Sequence, residues 1–432
     1  MVDNILKQST FKRGPKMQSK QKKIDNKVRV TIDKATQPLQ KFFKLEASSG
    51  IFLFLTAILA MIFANTSYLQ DLYFGLIKMP IIFGIADFTL NKNLLLLVND
   101  GLMAIFFFLV GLEIKRELMV GELSTPRKAA FSLFAALGGM LFPALLFLSL
   151  NAGTEFQSGW GIAMATDIAF ALGILTLLGK RVSPNLKIFL LALAIVDDLG
   201  AILIIALFYS GEIAANYLGV AAIMLFLLFV LNYAGFRNIA IGIIIGVVVW
   251  FCFLKSGVHA TIAGVLLAFL TPAKSVKSSN QQSDKDNEGE LLIDKYIHGL
   301  HPWVAFFIMP VFAFFNAGVN LSGVNLIEIL QHPVPLGIIF GLVVGKPVGI
   351  FLLTFISTKL GWTELPKNTT WLQIIAVGFV AGIGFTMSLF INSLAFGGQE
   401  VETFAKAGII FASLFAMVIG YALLYFGTSK KR

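Results

Sequence analysis

Hydrophobic segments follow one another along most of the chain and are separated by short polar stretches. A hydrocarbon core about 30 Å thick is crossed by about 20 residues of helix, and hydrophobic windows close to that length recur throughout. The pattern therefore predicts twelve transmembrane helices. Their predicted ranges are 47–66, 93–114, 129–150, 160–179, 186–209, 214–233, 238–254, 257–271, 302–318, 335–358, 371–395 and 403–427.

The amino-acid composition agrees with a membrane protein. Of the 432 residues, 57% are hydrophobic and only 13% are charged. Soluble domains contain about 45–50% apolar and about 25% charged residues. The predicted fold class is therefore an all-α polytopic membrane protein.

Polar segments mark the boundaries of the predicted domains. A basic cytoplasmic arm is expected at 1–45, a transporter-like membrane domain at 46–428 and a short cytoplasmic tail at 429–432. Within the membrane domain, 67–92 is predicted to be an external, hairpin-like segment because part of it alternates loosely like a strand. The polar segment 272–301 is predicted to be a cytoplasmic linker.

Lysine and arginine are distributed unevenly between the two sets of predicted loops. When the N-terminus is placed in the cytoplasm, most of the 34 Lys and Arg residues fall on the cytoplasmic side. This bias is the positive-inside rule, and it predicts that both chain termini are cytoplasmic. The basic arm has no aromatic-interleaved patch of the kind that binds nucleic acid, so contact with anionic lipid is the favoured interpretation.

Four charged residues are predicted to lie deep in the membrane. Asp197 and Asp198 are adjacent in the fifth predicted span, within 190–209, while Asp167 lies in the fourth span and Lys346 in the tenth. A charge at the centre of a membrane helix costs about 2.5–3.5 kcal/mol on insertion scales, and such residues usually serve transport or catalysis. These four residues form the candidate ion site.

Titratable residues near the ends of the predicted spans allow two interpretations. Asp100 and Glu113 lie toward opposite ends of the second predicted span, where water can solvate a carboxylate without any function. His259 and His298 also lie at span ends, as solvated or capping groups do. The alternative hypothesis is that one of these histidines tunes a pH response, since histidine titrates near neutral pH.

Small residues interrupt two of the predicted spans. The fourth span carries Thr166 and Asp167 among Gly and Ala, and the eleventh has several glycines between 378 and 384. Interrupted spans in the two halves of a transporter indicate a binding site near the membrane midplane, because broken helices expose carbonyl groups and helix ends. Together with Asp198, these groups supply the oxygen ligands that a hard cation such as Na⁺ needs.

Asp197 and Asp198 are neighbours on one helix, so their side chains point about 100° apart. One of them is predicted to bind the cation and the other to meet Lys346. An anionic site at mid-membrane is unfavourable when empty, so it should hold either protons or a cation. This exclusion predicts cation–proton exchange.

Two other functions also fit carboxylates inside a membrane. An intramembrane aspartyl protease needs two aspartates facing one water, one of them typically in a GxGD sequence, but Asp167 and Asp198 lack that sequence and Lys346 would have no role. The second alternative is a passive cation channel. Saturable, proton-coupled flux would identify an exchanger and distinguish it from a channel. The chain has no GxxxxGK[ST] sequence for binding ATP, which favours secondary transport.

Seven motifs between about 45 and 427 carry a family resemblance. They are GLEIKREL (111–118), ATDIAFALGIL (165–175), AIVDDLGAILIIALFY (194–209), KSGVHATIAG (255–264), LHPWVAFFIMPVFAFFNAGV (300–319), GLVVGKPVGI (341–350) and GIGFTMSLFI (382–391). Together they closely resemble the NhaA family of bacterial sodium/proton antiporters. The resemblance implies a twelve-span fold of inverted repeats in which the fourth and eleventh helices are discontinuous and cross.

The resemblance also implies roles for the residues of the ion site. Asp198 is expected to bind the cation, and Asp197 is expected to pair with Lys346. Thr166 and Asp167 match residues between the broken half-helices. Na⁺ is therefore expected at Asp198, Asp167 and Thr166.

Other matching positions lie toward the two membrane surfaces. Glu113 and Arg116 match a charged cluster at the cytoplasmic funnel that the family associates with pH response. Asp100 matches an acid toward the outer side. The segment 67–92 lies where the family carries a hairpin for homodimer contact.

The activity that the resemblance implies is secondary antiport in the bacterial inner membrane. Na⁺ or Li⁺ would leave the cytoplasm in exchange for protons by alternating access, in support of pH homeostasis and salt tolerance. No enzyme activity and no cofactor are expected. The expected partners are small inorganic cations, protons, membrane lipid and a second copy of the chain. More than one proton per cation would make the exchange electrogenic.

Overall fold

The computed structural model describes residues 46–85, 88–236, 238–273, 292–320 and 326–427. The predicted basic arm at 1–45, most of the polar linker before 292 and the predicted tail at 429–432 lie outside these ranges. The chain divides into a short unit, Met1–Ser48, and a large unit, Ser49–Arg432. The helices and strands lie in the large unit, except for residues 46–48.

The described residues are mostly helical. The helices are α1 (Glu46–Asn65), α2 (Ser67–Lys78), α3 (Leu94–Val120), α4 (Pro126–Asn151), α5 (Ile168–Leu177), α6 (Pro184–Phe208), α7 (Ala215–Tyr233), α8 (Ile239–Ser256), α9 (Thr261–Leu270), α10 (Leu292–Ala317), α11 (Leu326–Gln331), α12 (Pro333–Lys359), α13 (Trp371–Ala381), α14 (Phe385–Phe396) and α15 (Val401–Gly427). A 3₁₀ helix, Gln157–Met164, precedes α5, and single π-helical turns interrupt α3, α10 and α12.

Ten helical segments in the described part of the chain are long and apolar enough to cross a membrane. The pair α13 and α14, bent by 47° at a short break, makes an eleventh candidate if it counts as one span. The eighth predicted window falls on α9, which has only ten residues and is too short by itself. The prediction of a multi-pass helical protein is therefore confirmed at the level of ten to eleven candidate spans.

The segment between the first two spans combines a helix and a hairpin. Helix α2 occupies its first half, and two strands, β1 (Pro80–Ile85) and β2 (Phe88–Asn93), pair antiparallel in its second half. The fold is therefore not purely helical. Asn93 ends the hairpin and begins α3, because its side chain accepts a hydrogen bond from the backbone N–H of Leu96 (2.8 Å).

The ninth predicted span begins earlier than its hydrophobic window indicates. Helix α10 starts at Leu292, whereas the window starts at 302. The first turns of α10 are amphipathic, with Ile293 buried and His298 exposed, so their average hydropathy is low. A prediction from average hydropathy therefore assigns the first part of this helix to the linker.

Helix packing separates most of the spans into two groups. In the first group, α4 packs on α12 and α6, and α12 and α15 pack on α13. In the second group, α3 packs on α9 and α10, α9 on α8 and α8 on α7. Helices α4 and α12 approach closely at Gly138, where an added Cβ would lie 2.0 Å from the carbonyl oxygen of Gly349. Small residues allow this approach, as is usual in membrane helix packing.

Candidate ion-binding site

Two interrupted helices meet where they pack on the first helix group. The 3₁₀ helix Gln157–Met164 is followed by three residues without regular structure and then by α5, while α13 ends at Ala381 before α14 begins at Phe385. The backbone N–H of Asp167 donates to the carbonyl oxygen of Ile383 (2.7 Å), so the two breaks are in direct contact. We call this contact the helix-break site.

Asp167 is held by the N-termini of both half-helices. One carboxylate oxygen accepts the N–H of Phe170 in α5 (3.1 Å), and the other accepts the backbone N–H of Thr386 in α14 (3.1 Å) and its hydroxyl. Helix N-termini carry partial positive charge, which a carboxylate offsets. Asp167 is fully buried, and its contacts explain how its charge is tolerated there.

Lys346 and Asp197 form a buried ion pair beside the helix-break site. Lys346 Nζ lies 2.7 Å from Asp197 Oδ2, and it also donates to the carbonyl oxygen of Met164, at the end of the 3₁₀ helix. The Thr166 hydroxyl donates to the same Asp197 oxygen (2.6 Å) and lies 3.0 Å from the carbonyl oxygen of Ala381. One of the two adjacent aspartates, Asp197, thus lies in direct contact with Lys346.

Two carboxylate oxygens in this cluster are buried without a hydrogen-bond partner among the described residues. They are Asp197 Oδ1 and Asp198 Oδ2. Asp198 itself is only 1% exposed. Buried polar atoms in native proteins are nearly always satisfied, so these two oxygens distinguish the cluster from an ordinary buried ion pair.

The structure brings together most of the residues that the sequence analysis selects for this site. Thr166, Asp167, Asp197 and Lys346 share direct contacts across the helix breaks. The Thr166 hydroxyl contacts Asp197, whereas the sequence analysis expects Thr166 to bind Na⁺ together with Asp198 and Asp167. Asp167 has both oxygens engaged by helix ends, which leaves it less free to act as a cation ligand than the sequence suggests.

A charged cluster joins α3 and α10 at the end of α3 away from the hairpin. Arg116 donates to Asp294 (2.7 Å) and lies 3.4 Å from Glu117, while Glu113 is partly buried one turn earlier in α3. Asp294 lies in the segment that the sequence analysis reads as linker, which is why it was missed. Its position on α10 is visible only in the fold.

A second cluster forms around Asp100 at the hairpin end of α3. Lys92 on β2 lies 2.7 Å from one carboxylate oxygen, and His259 Nε2 lies 3.5 Å from the other. The indole N–H of Trp250 donates to the backbone oxygen of Asp100 (3.0 Å). His259 is thus a partner of Asp100 and not merely a solvated group, whereas His298 is exposed on α10. Trp250 is too far along the chain from Asp100 to be selected from a local pattern, and Lys92, eight residues before Asp100, lies in the segment that the sequence analysis places outside the membrane.

The fold and the site define an ion transporter of the polytopic membrane class: interrupted helices hold a buried charged cluster between them. The model of the family described as Na+/H+ antiporter 1 matches residues 40–424. A Na(+)/H(+) antiporter NhaA of Escherichia coli O1:K1 / APEC is 51% identical over 389 residues, covering 89% of this chain and 97% of that protein. The NhaA of Shigella dysenteriae serotype 1 (strain Sd197) is 50% identical with the same coverage.

The chain belongs to the Na+/H+ antiporter 1 family. It is a multi-pass inner-membrane Na⁺/H⁺ antiporter, a transporter and not an enzyme. Na⁺ and H⁺ are its substrates. The resemblance noted from the seven motifs and the predicted function are confirmed.

Proposed function

We propose that this antiporter exports Na⁺ or Li⁺ in exchange for protons by alternating access at Asp198 and the Asp197–Lys346 pair. The observation that carries the proposal is two buried carboxylate oxygens, Asp197 Oδ1 and Asp198 Oδ2, that have no hydrogen-bond partner in the described part of the chain and lie near a buried ammonium group. An oxygen-rich, partly anionic pocket is suited to a hard monovalent cation. No cofactor beyond the transported ions is needed.

Competition between the two ions follows from the charges in the cluster. Lys346 neutralises Asp197, so Asp198 supplies the negative charge that a cation or a proton must neutralise. Na⁺ would bind Asp198 together with Asp197 Oδ1, Thr166 and carbonyl groups freed at the helix breaks. A bound proton on Asp198 removes the charge that attracts Na⁺, and a bound Na⁺ disfavours the proton.

Asp167 and Lys346 have a second role in this scheme. Asp167 offsets the positive N-termini of α5 and α14, while Lys346 contacts the C-terminal end of the 3₁₀ helix through the Met164 carbonyl oxygen. These contacts stabilise opposed helix ends within the membrane. Proton release from Lys346 as well as from Asp198 would make the exchange electrogenic.

We further propose twelve crossings arranged as inverted repeats, with the fourth and eleventh helices crossing at the helix-break site. The hydrogen bond between Asp167 and Ile383 and the bend between α13 and α14 support this arrangement. Both termini would be cytoplasmic, and the β1–β2 hairpin would contact a second copy in a homodimer. The basic arm would lie against anionic lipid.

The clusters near the two surfaces are proposed to set the pH response. Arg116, Glu113 and Asp294 lie together at one end of α3, and Asp100 with His259 lies at the other. Both clusters hold titratable groups from different segments of the chain. A change in their charge would therefore alter helix packing on the path to Asp198. Salt tolerance and pH homeostasis would follow from the transport itself.

The decisive experiment is Na⁺-evoked dissipation of a pH gradient in everted vesicles, compared for the wild type and Asp198→Asn. We expect the variant to lose nearly all of the response because the neutral amide cannot exchange a proton for Na⁺. Asp71→Asn, which removes an exposed carboxylate on α2, is the matched control and should keep the wild-type response. An equal response of wild type and Asp198→Asn would contradict the site assignment.

A further inference from the structure

The end of α6 packs directly on the 3₁₀ helix Gln157–Met164. Tyr209, which follows the last residue of α6, donates a hydrogen bond from its hydroxyl to the Ser158 carbonyl oxygen (2.6 Å). Beside it, the rings of Phe208 and Trp160 make an edge-to-face contact with centroids 5.2 Å apart. The beginning of the 3₁₀ helix is thus attached to the end of α6, the helix that carries the two adjacent aspartates.

The other end of the 3₁₀ helix is also attached to α6. Two residues after the 3₁₀ helix ends, the Thr166 hydroxyl donates to Asp197 Oδ2 (2.6 Å). Ser158 and Thr166 therefore lie beside the two ends of one stretch of α6, from Asp197 to Tyr209. The two segments run in opposite directions and are joined at both ends.

The lengths of these two segments agree when residues 158–164 are 3₁₀-helical. From Asp197 to Tyr209 the rise along an α-helix is about 18 Å. From Ser158 to Met164 the rise is about 12 Å in a 3₁₀ helix but about 9 Å in an α-helix. The two further residues up to Thr166 add at most about 7 Å. The 3₁₀ form therefore covers the distance between the two attachments, whereas an α-helical form is about 3 Å shorter.

The stretched form decides where the end of the 3₁₀ helix lies. The Met164 carbonyl oxygen at that end accepts a hydrogen bond from Lys346, and the Thr166 hydroxyl just after it contacts Asp197. Hydrogen bonds hold their heavy atoms about 2.7–3.2 Å apart, so a retreat of about 3 Å breaks them. The attachment at the beginning of the 3₁₀ helix therefore acts on the Lys346–Asp197 pair from a distance.

The middle of the 3₁₀ helix fits closely around the Tyr209 hydroxyl. A Cβ added at Gly161 would lie 2.7 Å from the hydroxyl oxygen, which is closer than such atoms can approach. On another side, the Ser388 hydroxyl of α14 donates to the Ile162 carbonyl oxygen (2.7 Å). Because residue 161 has no side chain, the Tyr209 hydroxyl can reach the backbone at Ser158.

We propose that Tyr209 is a positioning residue for the ion site. Its hydrogen bond to Ser158 keeps the 3₁₀ helix stretched, and the stretched helix holds the Met164 carbonyl oxygen and the Thr166 hydroxyl at the buried ion pair. Tyr209 itself touches no transported ion. The inference rests on the proposed ion site, and it adds a residue at the far end of α6 that sets the geometry of that site.

Tyr209→Phe tests the proposal because it removes the hydroxyl group and keeps the ring. Na⁺/H⁺ exchange is measured in everted vesicles over a range of Na⁺ concentrations, and the Tm is measured in detergent. Tyr68→Phe on α2 is the matched control, since the Tyr68 side chain is 94% exposed.

We expect Tyr209→Phe to raise the apparent KM for Na⁺ at least about threefold and to leave kcat within about twofold of the control, because a Na⁺ ligand is displaced while Asp198 is unchanged. The Tm should stay within about 2 °C of the control, because one hydrogen bond is a small part of the stability of a chain of this length. A lower Tm and a lower kcat with an unchanged KM would show a merely structural role and overturn the proposal.

Hydrogen–deuterium exchange gives a readout that does not depend on transport. In Tyr209→Phe, the backbone amides of residues 157–166 should exchange several-fold faster than in Tyr68→Phe, whereas those of α4 should exchange at the same rate. Equal exchange of residues 157–166 in the two variants, or faster exchange throughout the protein, would also overturn the proposal.

Gly161→Ala tests the same hydrogen bond from the side of the 3₁₀ helix. The added Cβ displaces the Tyr209 hydroxyl, so this variant alone should raise the apparent KM for Na⁺ as Tyr209→Phe does. In the Tyr209→Phe background it should add less than about twofold, because the hydrogen bond is already absent. Should Tyr209→Phe fail to fold, Gly161→Ala carries the KM and amide-exchange tests, and a control-like result in both would overturn the proposal.

The results also distinguish the positioning role from the ion-site assignment. If Asp198→Asn abolishes exchange while Tyr209→Phe keeps the KM of Tyr68→Phe, the positioning role fails and the site assignment stands. If Asp198→Asn keeps exchange while Tyr209→Phe raises the KM and speeds amide exchange in residues 157–166, the site assignment fails and the effect of Tyr209 on Na⁺ binding stands.

Discussion

Individual residues in this protein carry charge where the membrane offers no water. Lys346 is completely buried, yet it has the Asp197 carboxylate and the Met164 carbonyl oxygen as partners. Asp167 has helix N-termini and Thr386 as partners. Asp198 Oδ2 has none among the described residues. This lack of described partners is the reason for the role that we propose for Asp198.

The Lys346–Asp197 pair should be needed for stability as well as for transport. Lys346→Ala leaves Asp197 as an unpaired buried charge, and breaking a buried pair in this way costs about 3–5 kcal/mol. We expect a strongly lowered Tm in detergent, measured by intrinsic tryptophan fluorescence. Adding Asp197→Asn to Lys346→Ala should recover part of the loss, because the stranded charge is then gone. Equal Tm values for the single and the double variant would show that the charge is not the cause.

At the scale of elements, the geometry of the backbone matters more for the ion-binding site than side-chain chemistry does. The breaks at 165–167 and 382–384 place carbonyl groups and helix ends inside the bundle, and Asp167 joins the breaks through the carbonyl oxygen of Ile383. These breaks are tolerated at membrane depth because neighbouring protein, rather than lipid, surrounds them. Close contact between α4 and α12 holds the Lys346 helix beside them.

Gly138→Ala should disrupt the contact between α4 and α12. An added Cβ would lie 2.0 Å from the carbonyl oxygen of Gly349, which is backbone and cannot rotate away. Overpacking of this kind costs about 1–3 kcal/mol, so we expect a lower Tm and reduced Na⁺/H⁺ exchange. Gly219→Ala on α7 is the control, since an added Cβ there meets no atom within 4 Å. A Gly138→Ala protein as stable as Gly219→Ala would contradict the packing argument.

At the scale of the whole molecule, two groups of helices meet along a boundary that, among the described residues, includes a cluster of aromatic rings. Phe390 contacts Phe107 and Phe312 across this boundary, and Asn99 reaches Ser393 only at 3.5 Å. Apolar contacts are not directional, so two groups joined mainly by them can shift relative to each other without leaving polar groups unsatisfied. This property suits a protein that must expose one site to two sides.

The orientation of the molecule in the membrane is open to a direct test. With the basic loops inside, both termini are expected in the cytoplasm and the β1–β2 hairpin outside. A fluorescent-protein fusion at the C-terminus should therefore be bright, and an alkaline-phosphatase fusion at the same position should be inactive. A phosphatase fusion placed after Lys78 should be active. An active phosphatase at the C-terminus would reject the proposed crossing number or its direction.

Much of this protein was predictable from local sequence. The multi-pass helical class, the interruptions of two helices and the membrane-buried Asp167, Asp197, Asp198 and Lys346 all follow from hydropathy, small residues and charge within single segments. These features depend on neighbouring residues only, because length and hydropathy decide whether a segment crosses a membrane. The seven motifs were sufficient to identify the family.

The partners of these residues were decided by tertiary packing. Thr166 meets Asp197 across 31 positions, Asn99 meets Asn316 across 217, and Thr386 meets Asp167 across 219. No local pattern records which helix will lie opposite another, so the sequence alone could not give the Thr166–Asp197 contact or the asparagine pair. Hydropathy determines which segments enter the membrane, whereas the fit of side chains between helices determines which atoms meet there.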